Sequence, residues 1–172
     1  VHAYGTDDRM VLGHSNPNWV LGFTNNFTYK GFDLSIHTMA RLGQMIQSDM
    51  LSRYTASDDI TVNQIAGTDY WTESNQGAYF PRPGSAKKQS AYYSALTFVD
   101  GSFFKIKNIT LGYTLPTNLV KKAFMERVRF YATAYNPVIF CKSILKDTDP
   151  ETGGSDAFPT YREFVFGVNV TF

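Results

Sequence analysis

A cluster of carboxylates is the first group of residues in this chain that could do chemistry. Asp147, Asp149 and Glu151 lie within five residues of one another, and carboxylate oxygens are the ligands that divalent cations such as Ca²⁺ prefer. Most acidic loops are solvated, so we expect no metal and no cofactor here. Cys141 is the single cysteine, which excludes an internal disulfide and a cysteine-based zinc site.

A second group combines an acid, a histidine and an arginine. Asp33, His37 and Arg41 stand at even spacing, so in a strand they share one face. General acid–base catalysis would also need a nucleophile at a matched position, and the sequence offers none. A solvated wall explains the three residues more simply, because unpartnered charges are costly in a dry core. We therefore expect no enzyme activity.

A third group consists of aromatic residues within a long polar stretch: Tyr70, Trp71, Tyr79 and Phe80. Their rings could stack on a sugar ring or contact a partner protein. The alternative is that they pack within their own loop, as compact long loops usually do. We keep the four residues as candidate contacts with a ligand or partner.

Two long alternating segments, 19–29 and 32–42, flank a two-residue turn at Lys30 and Gly31. In such a hairpin Tyr29 and Phe32 pair on one face, so the apolar faces of the two strands coincide. Each arm has the 9 to 11 residues of a tilted membrane strand, whereas globular strands usually have about 5 to 6. Strand length and the polar second face both favour a membrane barrel.

Further alternation predicts strands at 103–115, 128–135 and 164–172, and a short helix is possible at 44–54. The connections alternate between short (the turn and 116–126) and long (44–102 and 141–160), which is typical of outer-membrane barrels. In the strand 103–115, Lys105 and Lys107 continue the apolar face that contains Ile109 and Leu111. We expect these lysines to lie above the hydrocarbon, where charge is tolerated.

Composition excludes two classes of protein. The 16 basic and 15 acidic residues give a net charge of +1 without a basic stripe, so nothing supports nucleic-acid binding. No apolar run reaches the roughly 20 residues of a membrane helix.

The chain begins at Val1 without an initiator Met or signal peptide, and five strands leave two unpaired edges. We expect a part of a longer protein whose other strands complete the barrel.

With these features in view, almost the whole chain resembles the C-terminal region of the SusC/RagA-like TonB-dependent outer-membrane transporters. Six motifs follow in the order typical of that family. They lie at Asp8–Gly13 with Asn16–Trp19, Gly22–Ser35, Asp69–Thr72, Phe80–Pro83, Val99–Pro116, and Asp149–Glu151 with Phe166–Phe172.

The resemblance implies an all-β fold: about five C-terminal antiparallel strands of a large transmembrane barrel, with long extracellular loops and short periplasmic turns. Residues 1–172 would form the C-terminal segment of the barrel domain, with the plug and earlier strands absent. The protein would import a glycan or peptide nutrient across a Gram-negative outer membrane with energy from the TonB complex. Its partners would be a SusD-like lipoprotein, the remaining strands and plug, and outer-membrane lipid.

The terminal strand resembles the aromatic-ended signal by which barrel-assembly machinery recognises its clients. Phe166, Gly167, Val170 and Phe172 have the corresponding spacing. One family feature is missing, because Tyr4–Asp7 does not reproduce the segment rich in Asp, Asn and Gly before the first motif. No calcium site is inferred there.

Two other functions remain open from the residues. An outer-membrane adhesin or secretion component would share the lipid-facing alternation but would lack the ordered motifs. A soluble carbohydrate-binding β-sandwich would bury the apolar strand faces in a core, and the chain would fold alone.

Overall fold

The computed structural model describes residues 9–54, 66–80, 82, 95–145, 148–155, 158 and 160–172. Its structure in these ranges is mostly antiparallel β-sheet with short helices. The elements in chain order are β1 (Trp19–Tyr29), β2 (Phe32–Leu42), β3 (Met45–Gln47), α1 (Asp49–Tyr54), β4 (Phe98–Asp100), β5 (Phe103–Thr114), α2 (Thr117–Val120), β6 (Arg127–Cys141) and β7 (Glu163–Thr171).

The hairpin between β1 and β2 forms as the sequence predicts. Tyr29 pairs with Phe32 across the turn, and Lys30 and Gly31 both have positive φ angles, of 46° and 87°. Two consecutive positive φ angles define the tight turn whose twist matches that of paired strands. A Cβ on Gly31 would lie 2.8 Å from the carbonyl oxygen of Thr114, so a glycine is required there.

The five long strands form one sheet in the order β1, β2, β5, β6, β7. All neighbours are antiparallel, which confirms the all-β prediction. The sheet is open within the described residues, with β1 and β7 at its edges. No helix among the described residues is long and apolar enough to cross a membrane.

A β-bulge at Lys107 interrupts the alternation of β5. On the β2 side, the consecutive residues His37 and Thr38 pair with Asn108 and Ile106, so Lys107 has no partner in β2. On the β6 side, Asn136 and Pro137 lie opposite Lys107, and Asn136 has a positive φ of 49°. The extra residue reverses the faces of β5 on either side of the bulge.

The prediction that Lys105 and Lys107 continue the apolar face is therefore wrong. Lys105 pairs with Met39 on the inner face and is only 2% exposed. Phe104 takes the outer face instead and lies 6.1 Å from the ring of Phe140, centroid to centroid. The bulge keeps apolar side chains outside and turns a lysine inward.

Other boundaries differ from the prediction in three places. Strand β6 continues to Cys141 because Pro137 lies in the bulge, where a missing N–H breaks no ladder hydrogen bond. The segment predicted as a helix begins with β3, and α1 spans only Asp49–Tyr54. Strand β7 begins at Glu163.

The long connections share an apolar core of their own outside the main sheet. Strands β3 and β4 pair as a two-stranded antiparallel sheet. The core consists of five buried side chains: Ile46 of β3, Val99 of β4, and Leu51, Phe80 and Leu145 from both long connections.

Candidate functional site

The outer face of the sheet carries an aromatic row at its short-turn end. Tyr29, Phe32, Tyr113 and Phe130 are directly paired from β1 through β2 and β5 to β6. The rings of Phe32 and Tyr113 lie 4.5 Å apart, centroid to centroid. Aromatic rows of this kind are characteristic of the interface between a membrane and water.

A second set of outer-face aromatics lies at the opposite end, nearest the long connections. Trp19, Phe104 and Phe140 are all exposed there. From Trp19 to Tyr29, ten residue steps of about 3.4 Å, tilted by about 40°, advance about 26 Å. That distance matches the roughly 25 Å apolar band of an outer-membrane barrel.

The inner face is polar and contains an ion pair that crosses a strand. The guanidinium of Arg129 on β6 donates to both carboxylate oxygens of Asp33 on β2, at 2.9 and 2.5 Å. Gly112 of β5 lies between them, and a Cβ there would be 2.5 Å from both side chains. The side chains are 20% and 32% exposed, which suits a wall in contact with water.

Other inner-face side chains also satisfy one another across strands. Thr24 hydrogen-bonds His37 at 2.8 Å, and Thr110 hydrogen-bonds Thr133 at 2.9 Å. Of the three ionisable residues predicted on one face of β2, His37 therefore has a partner on β1 and Asp33 has a partner on β6. The structure does not bring Asp33, His37 and Arg41 together as a catalytic group.

Lys105 stands at the centre of an ionic cluster near the long-connection end of β5. Its ammonium donates to Asp149 at 2.5 Å and to Glu151 at 2.8 Å. Lys107 donates to Glu151 at 2.7 Å. Asp149 also caps the short 3₁₀ helix Pro150–Thr152 by accepting from the backbone N–H of Glu151.

The charged form of both carboxylates is favoured in this cluster. Burial alone would raise the pKa of Asp149, but hydrogen bonds from Lys105 and from the Glu151 N–H lower it below its ordinary value. Burial would also raise the pKa of Glu151, but the hydrogen bonds from Lys105 and Lys107 outweigh this effect and lower the pKa below its ordinary value. Both carboxylates are therefore ionised partners of lysine at neutral pH.

The acidic segment does not form a metal site among the described residues. Its member Asp147 lies outside those ranges, and its other two carboxylates bind lysine ammonium groups. No group of three or more His, Cys, Asp and Glu side chains is placed to hold a metal in the described part of the chain.

The four candidate contact aromatics divide into exposed and buried members. Tyr70 and Tyr79 are exposed, Trp71 is partly buried, and Phe80 is 4% exposed within the loop core. Tyr79 and Phe80 pack edge to face at 4.9 Å, and the Trp71 N–H donates to the Phe80 carbonyl at 2.8 Å. The four residues thus lie together, and whether they contact a ligand or partner stays a prediction.

The residues of the predicted assembly signal occupy both faces of β7. Phe166 and Val170 are exposed on the outer face, and Phe172, which follows the strand, is also exposed. Gly167 lies on the inner face beneath Tyr131, whose ring occupies the position that a Cβ would take. The role of this strand in assembly stays a prediction.

The inward position of Lys105 and the close contacts at two of the three strand glycines, Gly112 and Gly167, were not predicted from the sequence. Lys105 is separated by more than forty residues from its carboxylate partners. The available signal was that two lysines in β5 are matched by two acids in the second long connection. Gly112 and Gly167 were visible as glycines in strand interiors, which often mark a close approach by another group.

Comparison with known proteins agrees with this architecture. TonB-dependent receptor P3 of Formosa agariphila is 26% identical over 97% of this chain. TonB-dependent receptor SusC of Bacteroides thetaiotaomicron is 31% identical over 96% of it. The chain spans only 18% and 16% of the lengths of these relatives. No family model matches the chain.

Solved structures with a similar fold include the RagAB peptide transporter. The structure superposes on it with a TM-score of 0.75 at 22% identity, covering 99% of this chain and 19% of that chain. The 'closed-closed' state of the RagAB peptide importer gives a TM-score of 0.74, also at 22% identity. From the ordered motifs, the open antiparallel sheet and these relatives, the chain belongs to the SusC/RagA-like TonB-dependent receptors and corresponds to their C-terminal part.

Proposed function

We propose that this chain forms part of an outer-membrane transporter that imports a nutrient of the glycan or peptide class with energy from TonB. The observation that carries the proposal is the registered division of the sheet into two faces. The outer face is an exposed apolar band between two aromatic ends, and the inner face is polar and ion-paired. Such a wall separates lipid from a water-filled lumen.

Residues 1–172 would supply the last strands of the barrel domain. The edges β1 and β7 would pair with the remaining strands of the transporter, because unpaired backbone groups are costly in lipid. A plug within the lumen, also outside this chain, would contact the polar inner face. The short turns at Lys30 and Gly31 and at 116–126 would face the periplasm, and the long connections the cell exterior.

A SusD-like surface lipoprotein would bind at the exterior side, where the loop aromatics lie. Exposed Tyr70 and Tyr79, with the partly buried Trp71 and the buried Phe80 behind them, would provide the contact with a ligand or with this partner. The role of the chain is binding and translocation and not catalysis. Its relatives support this, since both are named as receptors.

The test uses the full-length protein in its own bacterium. A deletion strain and a complemented strain would be supplied with labelled oligosaccharides or labelled peptides, in the presence and absence of a working TonB. We expect uptake of one class to require both the protein and TonB, and a surface lipoprotein to copurify. Outer-membrane localisation without any effect on uptake would favour an adhesin or secretion role. A soluble product would favour the β-sandwich.

A further inference from the structure

The two long connections pack against each other through a shared apolar core. We name their described parts, residues 44–54, 66–80, 95–102, 142–145 and 148–155, the loop cap. Leu145 of the second connection is fully buried against Ile46, Leu51, Phe80 and Val99 of the first. Because this contact is an apolar core, it persists without any particular orientation of polar groups.

Backbone contacts reinforce the join between the two connections. The N–H of Asp49 donates to the carbonyl of Gly154 at 3.0 Å. Gly154 has a φ of 89° and approaches the backbone of Gln47 and Ser48 so closely that a Cβ would overlap it. Both observations require the second connection to lie directly on the first.

On one side, the loop cap meets the sheet through glycines. Gly43 leaves β2 with a φ of 76°, and its N–H donates to the Ser102 hydroxyl at 2.9 Å. Gly101 enters β5 under Ile46, where a Cβ would be 2.7 Å from that side chain. These two short crossings connect the cap to the wall, and Cys141 at the end of β6 is the one partly buried side chain of the wall, among the described residues, that packs against the apolar core of the cap.

On the other side, the loop cap meets the sheet through the ionic cluster. Lys105 belongs to β5, whereas Asp149 and Glu151 belong to the cap. Because Lys105 is only 2% exposed, its ammonium group would be a strongly destabilising buried charge without those carboxylates. The contact therefore has two discrete states, fully paired or opened to water.

We propose that the loop cap moves as one body and that the Lys105, Asp149 and Glu151 cluster is the ionic latch that fixes it to the wall. When the latch opens, the apolar core keeps the two connections together, and the cap turns on the crossings at Gly43 and Gly101. This inference rests on the contacts alone and does not depend on what the protein transports.

Hydrogen exchange on the purified full-length protein tests the latch. In an Asp149→Asn, Glu151→Gln double variant the cap loses the contact that stabilises it against the wall, and as one cooperative unit it should open locally more often. We therefore expect amides of 45–51, 144–145 and 148–152 to exchange faster by a similar factor, about tenfold or more. Amides in the centre of β5 and β6 should keep their protection, which shows that the sheet is folded. The control is Lys142→Gln, which removes the exposed 3.3 Å pair with Asp100 and should change exchange very little.

A second variant separates the latch from the shared core. Leu145→Ala leaves the ionic cluster in place but opens a cavity between the two connections, so the amides of 144–145 and 148–152 and those of 45–51 should respond by different factors. Acceleration confined to 148–155 in the double variant, or no acceleration, would overturn the proposal. Equal acceleration of both segments in Leu145→Ala, with the latch intact, would also overturn it.

Discussion

Arg129 holds Asp33 across the full width of the strand between them. The guanidinium on β6 and the carboxylate on β2 meet above Gly112 of β5, with two hydrogen bonds of 2.9 and 2.5 Å. A planar guanidinium can bind both oxygens of a carboxylate at once. Three strands are thereby linked on the inner face, and the link needs a glycine beneath it.

Replacing Gly112 with Ala should weaken this link. The new Cβ would lie 2.5 Å from Asp33 Oδ1 and Arg129 Nη2, so these flexible ends must move apart. We expect a loss of about 1 kcal/mol in the free energy of unfolding, because the pair is partly exposed. The measurement is thermal unfolding of the full-length barrel, followed by its shift in gel mobility.

Gly22→Ala is the matched control for this change. Gly22 also lies on the inner face of a strand, but a Cβ there meets nothing within 4 Å. Its stability should be unchanged or slightly increased. If both variants lost the same stability, glycine flexibility and not the ion pair would account for the effect.

Alternation predicts most of this sheet because each face has one environment. The register between Tyr29 and Phe32 followed from the turn and the apolar face together, and the structure confirms it. The face of Lys105 could not be predicted, because a bulge at Lys107 changes the count of residues without a clear sequence signal. The end of β6 was missed for a related reason, since Pro137 reads as a strand end unless the bulge is known.

The loop cap was still less predictable. Strands β3 and β4 have three residues each, too few for a periodic pattern. Their stability comes from Leu145 and Phe80, which are distant in sequence. Contacts of this kind depend on the tertiary arrangement and not on local propensity.

Acid should open the latch while the sheet remains folded. The pKa values of Asp149 and Glu151 are lower in the folded protein than in the unfolded chain, so their stabilisation is complete above the ordinary carboxyl pKa of about 4. This stabilisation is lost as the pH falls below about 4 and passes through the lowered pKa values of the two carboxylates in the folded protein. The groups that face the two carboxylates are the ammonium groups of Lys105 and Lys107, and the Cys141 thiol lies near Asp149.

Limited proteolysis of the loop cap between pH 7 and pH 3 measures this transition. We expect protection to be constant down to about pH 5 and to fall below about pH 4. The Asp149→Asn, Glu151→Gln double variant should be cleaved readily at every pH. A transition complete at pH 6 would contradict the assignment to these carboxylates.

The loop aromatics offer a test that separates contact from packing. Tyr79 is exposed and Phe80 is buried beside it. If the group contacts a ligand or the lipoprotein, Tyr79→Ala and Trp71→Ala should reduce uptake several-fold with unchanged hydrogen exchange in the loop cap. Phe80→Ala should instead loosen the cap, because it leaves a cavity worth about 3 to 5 kcal/mol in a packed core. Normal uptake and lipoprotein binding in the first two variants would favour loop packing alone.

Removal of Phe172 tests the terminal strand as an assembly signal. Phe172 follows the last residue of β7, and its side chain is 84% exposed, so its loss removes little packing contact from the sheet. We expect the full-length protein without Phe172 to reach the outer membrane in reduced amount, while the molecules that do assemble unfold at the normal temperature. Phe164→Ala is the control, since Phe164 is also an exposed aromatic of the same segment, at 65% against 84% for Phe172, but does not end the chain. Normal assembly without Phe172, or an equal defect in Phe164→Ala, would show that the ring acts only as one more lipid-facing side chain.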